Sequence, residues 1–141
     1  MRDIKFRGKT INGKKWIYGS YALQDKYHMI SIDRNDGITK MLMFHSVIPE
    51  TVGQFTGLKD INDIDIYEGD MCSYQSLFKR EKGTIVYKNG AFKLKIGDNW
   101  FAYLDKKQEY QDMGASSKWN LDLEVIGYIT EKKEKNKWMY I

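Results

Sequence analysis

Cysteine and proline each occur once in this chain of 141 residues, as Cys72 and Pro49, and histidine only twice. A lone thiol forms no internal disulfide and builds no cysteine-rich metal site. Cys72 therefore reads as a small buried hydrophobe, compatible with a reducing compartment. Arginine is scarce as well: Arg2, Arg7, Arg34 and Arg80 are the only ones among 23 Lys+Arg. Base reading and bidentate phosphate gripping favour arginine. The net charge of +4, spread over lysines along the chain, thus reads first as a solubility device. No apolar run is long enough to cross a bilayer, and the opening Met1-Arg2-Asp3-Ile4-Lys5-Phe6 lacks the continuous apolar stretch of a signal peptide. The expectation is a soluble cytoplasmic protein with no membrane partner.

Aromatic residues, by contrast, are plentiful, with Tyr 10, Phe 6 and Trp 4. A mean hydropathy of −0.60 leaves no room to bury every tyrosine, because each hydroxyl needs a partner. Some are expected at half-exposed faces or at a subunit interface. A chain of this length buries roughly 70% of its unfolded surface, enough for a core without staples. One domain is expected, with two possible lobes, 1–57 and 58–141.

Apolar residues alternate and turn signals come often, which predicts a mainly β fold of short antiparallel strands and hairpins. The clearest hairpin centres on Asn89-Gly90, where both positions tolerate positive φ. A two-residue turn there pairs Lys88 with Ala91, Tyr87 with Phe92 and Ile85 with Leu94. Asn12-Gly13 predicts a second hairpin that pairs Phe6 with Gly19, Gly8 with Ile17, and Ile4 with Tyr21 on a core face. Its other face pairs Arg7 with Tyr18 and Lys9 with Trp16. Tyr27–Ile32 and Met41–Ile48 read as strands joined by Arg34-Asn35-Asp36-Gly37, with Pro49 breaking the ladder. Leu123–Ile129 reads as a closing strand. Phe101–Met113 is the best helix candidate, so at most one or two short helices are expected. Glu131–Lys137 is a mixed charge run, and Trp138-Met139-Tyr140-Ile141 is apolar enough to dock. A Gly69-Asp70 turn, a strand, the Gly83–Ile96 hairpin and the closing strand follow the pattern of an SH3-like barrel in the C-terminal half.

The densest motif is Val52-Gly53-Gln54-Phe55-Thr56-Gly57-Leu58-Lys59-Asp60, followed by Ile66-Tyr67-Glu68-Gly69-Asp70. Together with Met1–Gly8, Gly83–Tyr87, Asn89–Phe92 and Glu124–Gly127, in this order, it resembles the YopX family. The resemblance implies a mainly β protein of bacteriophages and prophages, with no established biochemical role and no catalytic residue to carry over. The family usually has Asn-Gly after the Gly-Leu-Lys-Asp stretch, where this chain has Asn62-Asp63. Aspartate tolerates left-handed φ better than most side chains, so the turn should survive.

Gly57 and Gly69 read as suppliers of backbone freedom, and Asp70 as a side chain that bonds the amides beyond it. Asp60, Asp63, Asp65, Glu68 and Asp70 form the densest acidic cluster. A calcium loop needs oxygens at regular spacing and a central glycine; here Ile64 takes the third ligand position, which favours turn chemistry. His28, His45 and Cys72 show no ligand spacing. Ser116-Ser117 after Gly114-Ala115 form no nucleophile elbow, and no phosphate loop or dinucleotide fingerprint appears. No catalytic, cofactor-binding or metal residue is assigned.

Arg7, Lys9, Trp16 and Tyr18 make the candidate interaction face, since bases stack on rings beside cations; a half-covered sheet face or a protein contact is the plainer reading. The sequence supports a non-enzymatic protein acting by binding, with a homo-oligomer as the expected partner. A nucleic-acid-binding β module is the alternative, and a hydrolase using carboxylates gathered by folding is the second.

Overall fold

A computed structural model of the chain describes residues 3–75, 79–97, 99–103 (backbone only) and 123–129. These residues form two units, Met1–Gly57 and Leu58–Ile141. The fold is mainly β, as the alternation predicts, and both sheets are antiparallel.

The first unit holds β1 (Phe6–Lys9), β2 (Trp16–Gln24), β3 (Tyr27–Asn35), β4 (Lys40–Ser46) and most of β5 (Gly53–Lys59), in the spatial order β4-β3-β2-β1-β5. The first hairpin adopts the predicted register, with Phe6 opposite Gly19, Arg7 opposite Tyr18, Gly8 opposite Ile17 and Lys9 opposite Trp16. Asn12 organises its loop, accepting through Oδ1 from the Thr10 hydroxyl at 2.6 Å and the Lys14 amide at 3.0 Å. Pro49 ends the ladder as expected and opens a 3-10 turn, Pro49–Thr51. Past β4 the chain returns to β1: the Ile48 amide donates to the Lys9 carbonyl at 2.9 Å. The Thr51 hydroxyl oxygen accepts from the Lys9 amide at 2.8 Å.

The inner face collects Ile30 and Val47, both fully buried, and Phe6, whose ring centre lies 5.4 Å from that of Tyr21. The sheet is tight here because Gly19 lacks a side chain. A Cβ at that position would lie 1.9 Å from the Ser31 carbonyl oxygen, well inside any allowed contact. One expectation fails. Ile4, placed in the core opposite Tyr21, is 68% exposed. The β1–β2 ladder starts only at Phe6, and Tyr21 packs against Phe6 and His28 instead.

In the second unit β6 (Asp65–Tyr67) stands beside β5, whose Leu58 and Lys59 belong to this unit. A five-stranded sheet follows in the order β10-β9-β8-β7-β11. Its strands are β7 (Asp70–Gln75), β8 (Arg80–Lys88), β9 (Ala91–Ile96), β10 (Asn99–Tyr103) and β11 (Glu124–Tyr128). The Asn89-Gly90 turn has positive φ at both residues, 53° and 79°, and pairs Lys88 with Ala91, Tyr87 with Phe92 and Ile85 with Leu94. Ile85 and Leu94 are fully buried and join Ile66, Cys72, Tyr74, Phe92 and Leu123 in one core. Each such aliphatic side chain contributes about 1.5–3 kcal/mol by leaving water. Cys72 is a small hydrophobe in that core, as predicted.

Two further expectations change. Phe101–Tyr103, the start of the expected helix, lies in β10 and pairs with β9; the remainder of Phe101–Met113 falls outside the described residues. So do Ser116-Ser117, the charge run and the apolar C-terminal segment. The SH3-like barrel is not confirmed, because neither sheet closes among the described residues.

Candidate functional site

Alternate residues of an extended strand project to one face about 6.8 Å apart. Lys5, Arg7 and Lys9 therefore make a cationic row along β1. Arg7 lies opposite Tyr18 on one side and Gly53 on the other. Its guanidinium carbon stands 4.4 Å from the centre of the Trp16 ring, and Lys9 Nζ lies 5.2 Å from it. Lys5 Nζ lies 4.5 Å from the centre of the Phe55 ring. The Lys9 backbone is pinned by Ile48 and Thr51, and that of Lys5 by the Phe55 amide at 2.8 Å. The row is thus held rigidly.

The structure brings Arg7, Lys9 and Trp16 together as predicted and sets Tyr18 beside them. It adds Lys5 and Phe55, which sequence reasoning missed. Lys5 was readable from the alternation with Arg7 and Lys9; Phe55 was not, since it joins only when β5 pairs with β1. Burial decides what the face can do. Arg7 is only 7% exposed, so its guanidinium is packed within the sheet face. Partly buried cation–ring contacts contribute up to about 2 kcal/mol. Trp16 already engages two cations. Tyr18, half exposed, is the ring of this face most open to solvent.

The acidic motif resolves into turn chemistry. Asp60 is buried, and its carboxylate accepts from three amides: Asn62 at 2.8 Å, Ile64 at 2.9 Å and Val125 at 3.0 Å. Burial alone would raise its pKa, but the Val125, Ile64 and Asn62 amides outweigh that and hold it below the ordinary value. Asp63 has φ 66°, the left-handed conformation expected where the family has glycine. Lys59 pairs with Asp65 at 3.0 Å and Asp63 at 3.9 Å. Asp70, fully buried, accepts through Oδ2 from the Tyr67 amide at 2.8 Å. That amide precedes it, so through this bond Asp70 closes its turn backwards. Gly57 and Gly69 have φ of 87° and 91°, the freedom read from the sequence. Burial raises the Glu68 carboxyl.

Among the described residues no group of three or more His, Cys, Asp or Glu side chains is placed to hold a metal ion. His28 bonds the Tyr21 hydroxyl through Nδ1, and His45 sits opposite Ile30 on β4. A polar cluster that the sequence did not suggest lies on the second sheet. There Tyr74 donates to Glu81 at 2.6 Å, and Arg80 reaches Ser73 at 2.7 Å and Glu124. Burial, then the Glu81 hydrogen bond and charge, push the Tyr74 hydroxyl up to about 12. No helix among the described residues is long and apolar enough to cross a membrane.

Set against known proteins, residues 5–135 match the family model described as YopX protein. No curated protein matches the chain. A solved structure, that of protein EF1440 from Enterococcus faecalis, is similar over 96% of this chain and 99% of its own, with a TM-score of 0.57 and 21% identity. At that identity the likeness concerns the fold.

Proposed function

The chain belongs to the YopX protein family, and from that premise we propose that it is a phage or prophage accessory protein of the bacterial cytoplasm. It acts by binding, through assembly with further copies of itself, and not by catalysis. The observation that carries this reading is the outer part of the first sheet. Tyr18, Tyr27, Leu42 and Phe44 are each half exposed or more and fall on one face in the β2–β3–β4 register. Apolar side chains exposed together on one sheet face are the kind of surface that partners cover. Within the acidic motif, Asp60 and Asp70 accept from backbone amides and Asp65 pairs with Lys59, which counts against a hydrolase built on those three. The five antiparallel strands of the second unit support an SH3-like barrel there as part of the same reading. Light scattering across a concentration series tests the assembly: a mass above 16.6 kDa is expected, and a monomer at high concentration refutes it.

The Lys5 and Lys9 ammonium groups beside Tyr18, with Arg7 packed beneath them, favour a second reading, binding of single-stranded nucleic acid. Two phosphate contacts would give a log–log salt slope of about −1.4. Titration with labelled oligonucleotides at two salt levels checks this, and binding that ignores salt rejects it.

A further inference from the structure

Among the described residues β4 is an edge strand of the first sheet, and its seven residues, Lys-Met-Leu-Met-Phe-His-Ser, carry one formal charge, Lys40. Natural edge strands are blunted by charge, proline, bulges or short length. β4 runs in unbroken register with β3 and has none of these between Met41 and Ser46. Leu42 is 62% exposed and Phe44 55%. We propose that β4 pairs antiparallel with β4 of a second copy across a two-fold axis at Met43, joining two sheets into one. This rests on the assembly reading above and names its surface.

The register follows from which backbone groups point outward. On the β3 side, the Val47 amide donates to the His28 carbonyl at 3.0 Å and the Asp36 amide to the Thr39 carbonyl at 3.4 Å. Hydrogen-bonded pairs in an antiparallel ladder recur every second residue. Odd-numbered residues of this strand therefore bond inward to β3. Lys40, Leu42, Phe44 and Ser46 direct their amides and carbonyls to the open edge. A two-fold axis at Met43 sets these even residues against one another, Leu42 opposite Phe44 of the second copy and Lys40 opposite Ser46. This register uses the whole strand and forms roughly eight main-chain hydrogen bonds, two for each bonded pair. It places an aliphatic side chain against an aromatic one on the exposed face, a favourable cross-strand pair. It brings no two like charges opposite each other. The contact is isologous, so it closes at two copies.

At the axis the two Met43 residues form a non-hydrogen-bonded pair, with Cα atoms about 4.5 Å apart, within the span that a disulfide bridges. The only native thiol, Cys72, is buried. Mild oxidation of Met43→Cys should therefore yield a disulfide-linked dimer on a non-reducing gel, and Met41→Cys should not. Phe44→Lys alters an exposed side chain and puts charge on the edge; it should convert the wild-type dimer to monomer with its thermal midpoint retained. Leu42→Pro is the second variant, since it removes an outward amide and leaves the β3 ladder intact; the same loss of dimer is expected. A wild-type oligomer unchanged by both variants overturns the β4 contact while leaving assembly standing. A linked dimer from Met41→Cys but not from Met43→Cys overturns the register. A wild-type monomer at high concentration overturns both the contact and the assembly reading.

Discussion

Replacing Asp60 by alanine removes one acceptor group and strands three donors. The Asn62 and Ile64 amides belong to exposed turn residues. Water takes over there, at a cost of about 0.5 kcal/mol each. The Val125 amide belongs to a partly buried strand residue, and leaving it unsatisfied costs about 1–3 kcal/mol. The total is about 2–4 kcal/mol, a large fraction of the 5–15 kcal/mol typical of a folded protein. At about 3 °C per kcal/mol for a chain of this size, the thermal midpoint should fall by roughly 6–12 °C. Asp60→Asn keeps one carbonyl oxygen and should lose less. The acid limb separates charge from shape. The folded carboxyl titrates below its ordinary value of 3.8, so the unfolded chain binds more protons between the two pKa values. Its contribution is complete above 3.8 and is lost as pH falls through the folded value. Asp36, whose carboxyl is lowered by the Thr39 amide first and then by Ile38, acts with the same sign, so Asp60→Asn should flatten the acid limb without abolishing it. Urea unfolding of both variants from pH 2 to pH 7 is the assay. An alanine variant within about 0.5 kcal/mol of wild type, or an asparagine variant with an unchanged acid limb, would refute the role given to Asp60.

Further outcomes follow from the same geometry. Burial raises Glu68 above its ordinary value of 4.5, so the folded chain holds its proton longer and stability falls as pH rises through that window. Glu68→Gln should then stabilise at pH 7 and make no difference below the ordinary value, by urea midpoint. Gly69→Ala meets both a φ of 91° and the Tyr128 ring, with its Cβ 2.5 Å from Cε2, whereas Gly90→Ala meets φ 79° and open space. The first should lose at least about 3 kcal/mol and the second about 1; equal losses would reject the Tyr128 contact. Spectrophotometric titration should show tyrosine ionisation extending to about 12, and Tyr74→Phe should reduce its amplitude there by one tyrosine.

Local chemistry made much of this fold legible. Asn89-Gly90 dictates a two-residue turn, while Asn12-Gly13 centres a four-residue loop closed by the Thr10 amide on the Lys15 carbonyl, and once a loop's centre is fixed the period of two assigns every partner along the hairpin. The registers of Phe6–Lys9 with Trp16–Gly19 and of Ile85–Lys88 with Ala91–Leu94 follow from those four residues. Positive φ at Gly57, Gly69 and Asp63 was readable for the same reason. Phe101–Tyr103 misled, since its helical spacing is weak and β9 offers an edge to pair with. Ile4 misled because alternation cannot say where a ladder stops.

By itself, then, the sequence determined the two hairpins, their registers and the placing of Arg7 and Lys9 beside Trp16 and Tyr18, since each of these depends on neighbours a few residues apart. Tertiary structure alone decided that Arg7 is packed into its face, that Phe55 joins Lys5, and that Asp60 holds Val125, 65 residues away. It also decided that, among the described residues, β4 stands at an edge with Leu42 and Phe44 exposed. Burial and long-range pairing depend on which strands become neighbours in space, and no local pattern of residue types encodes that order.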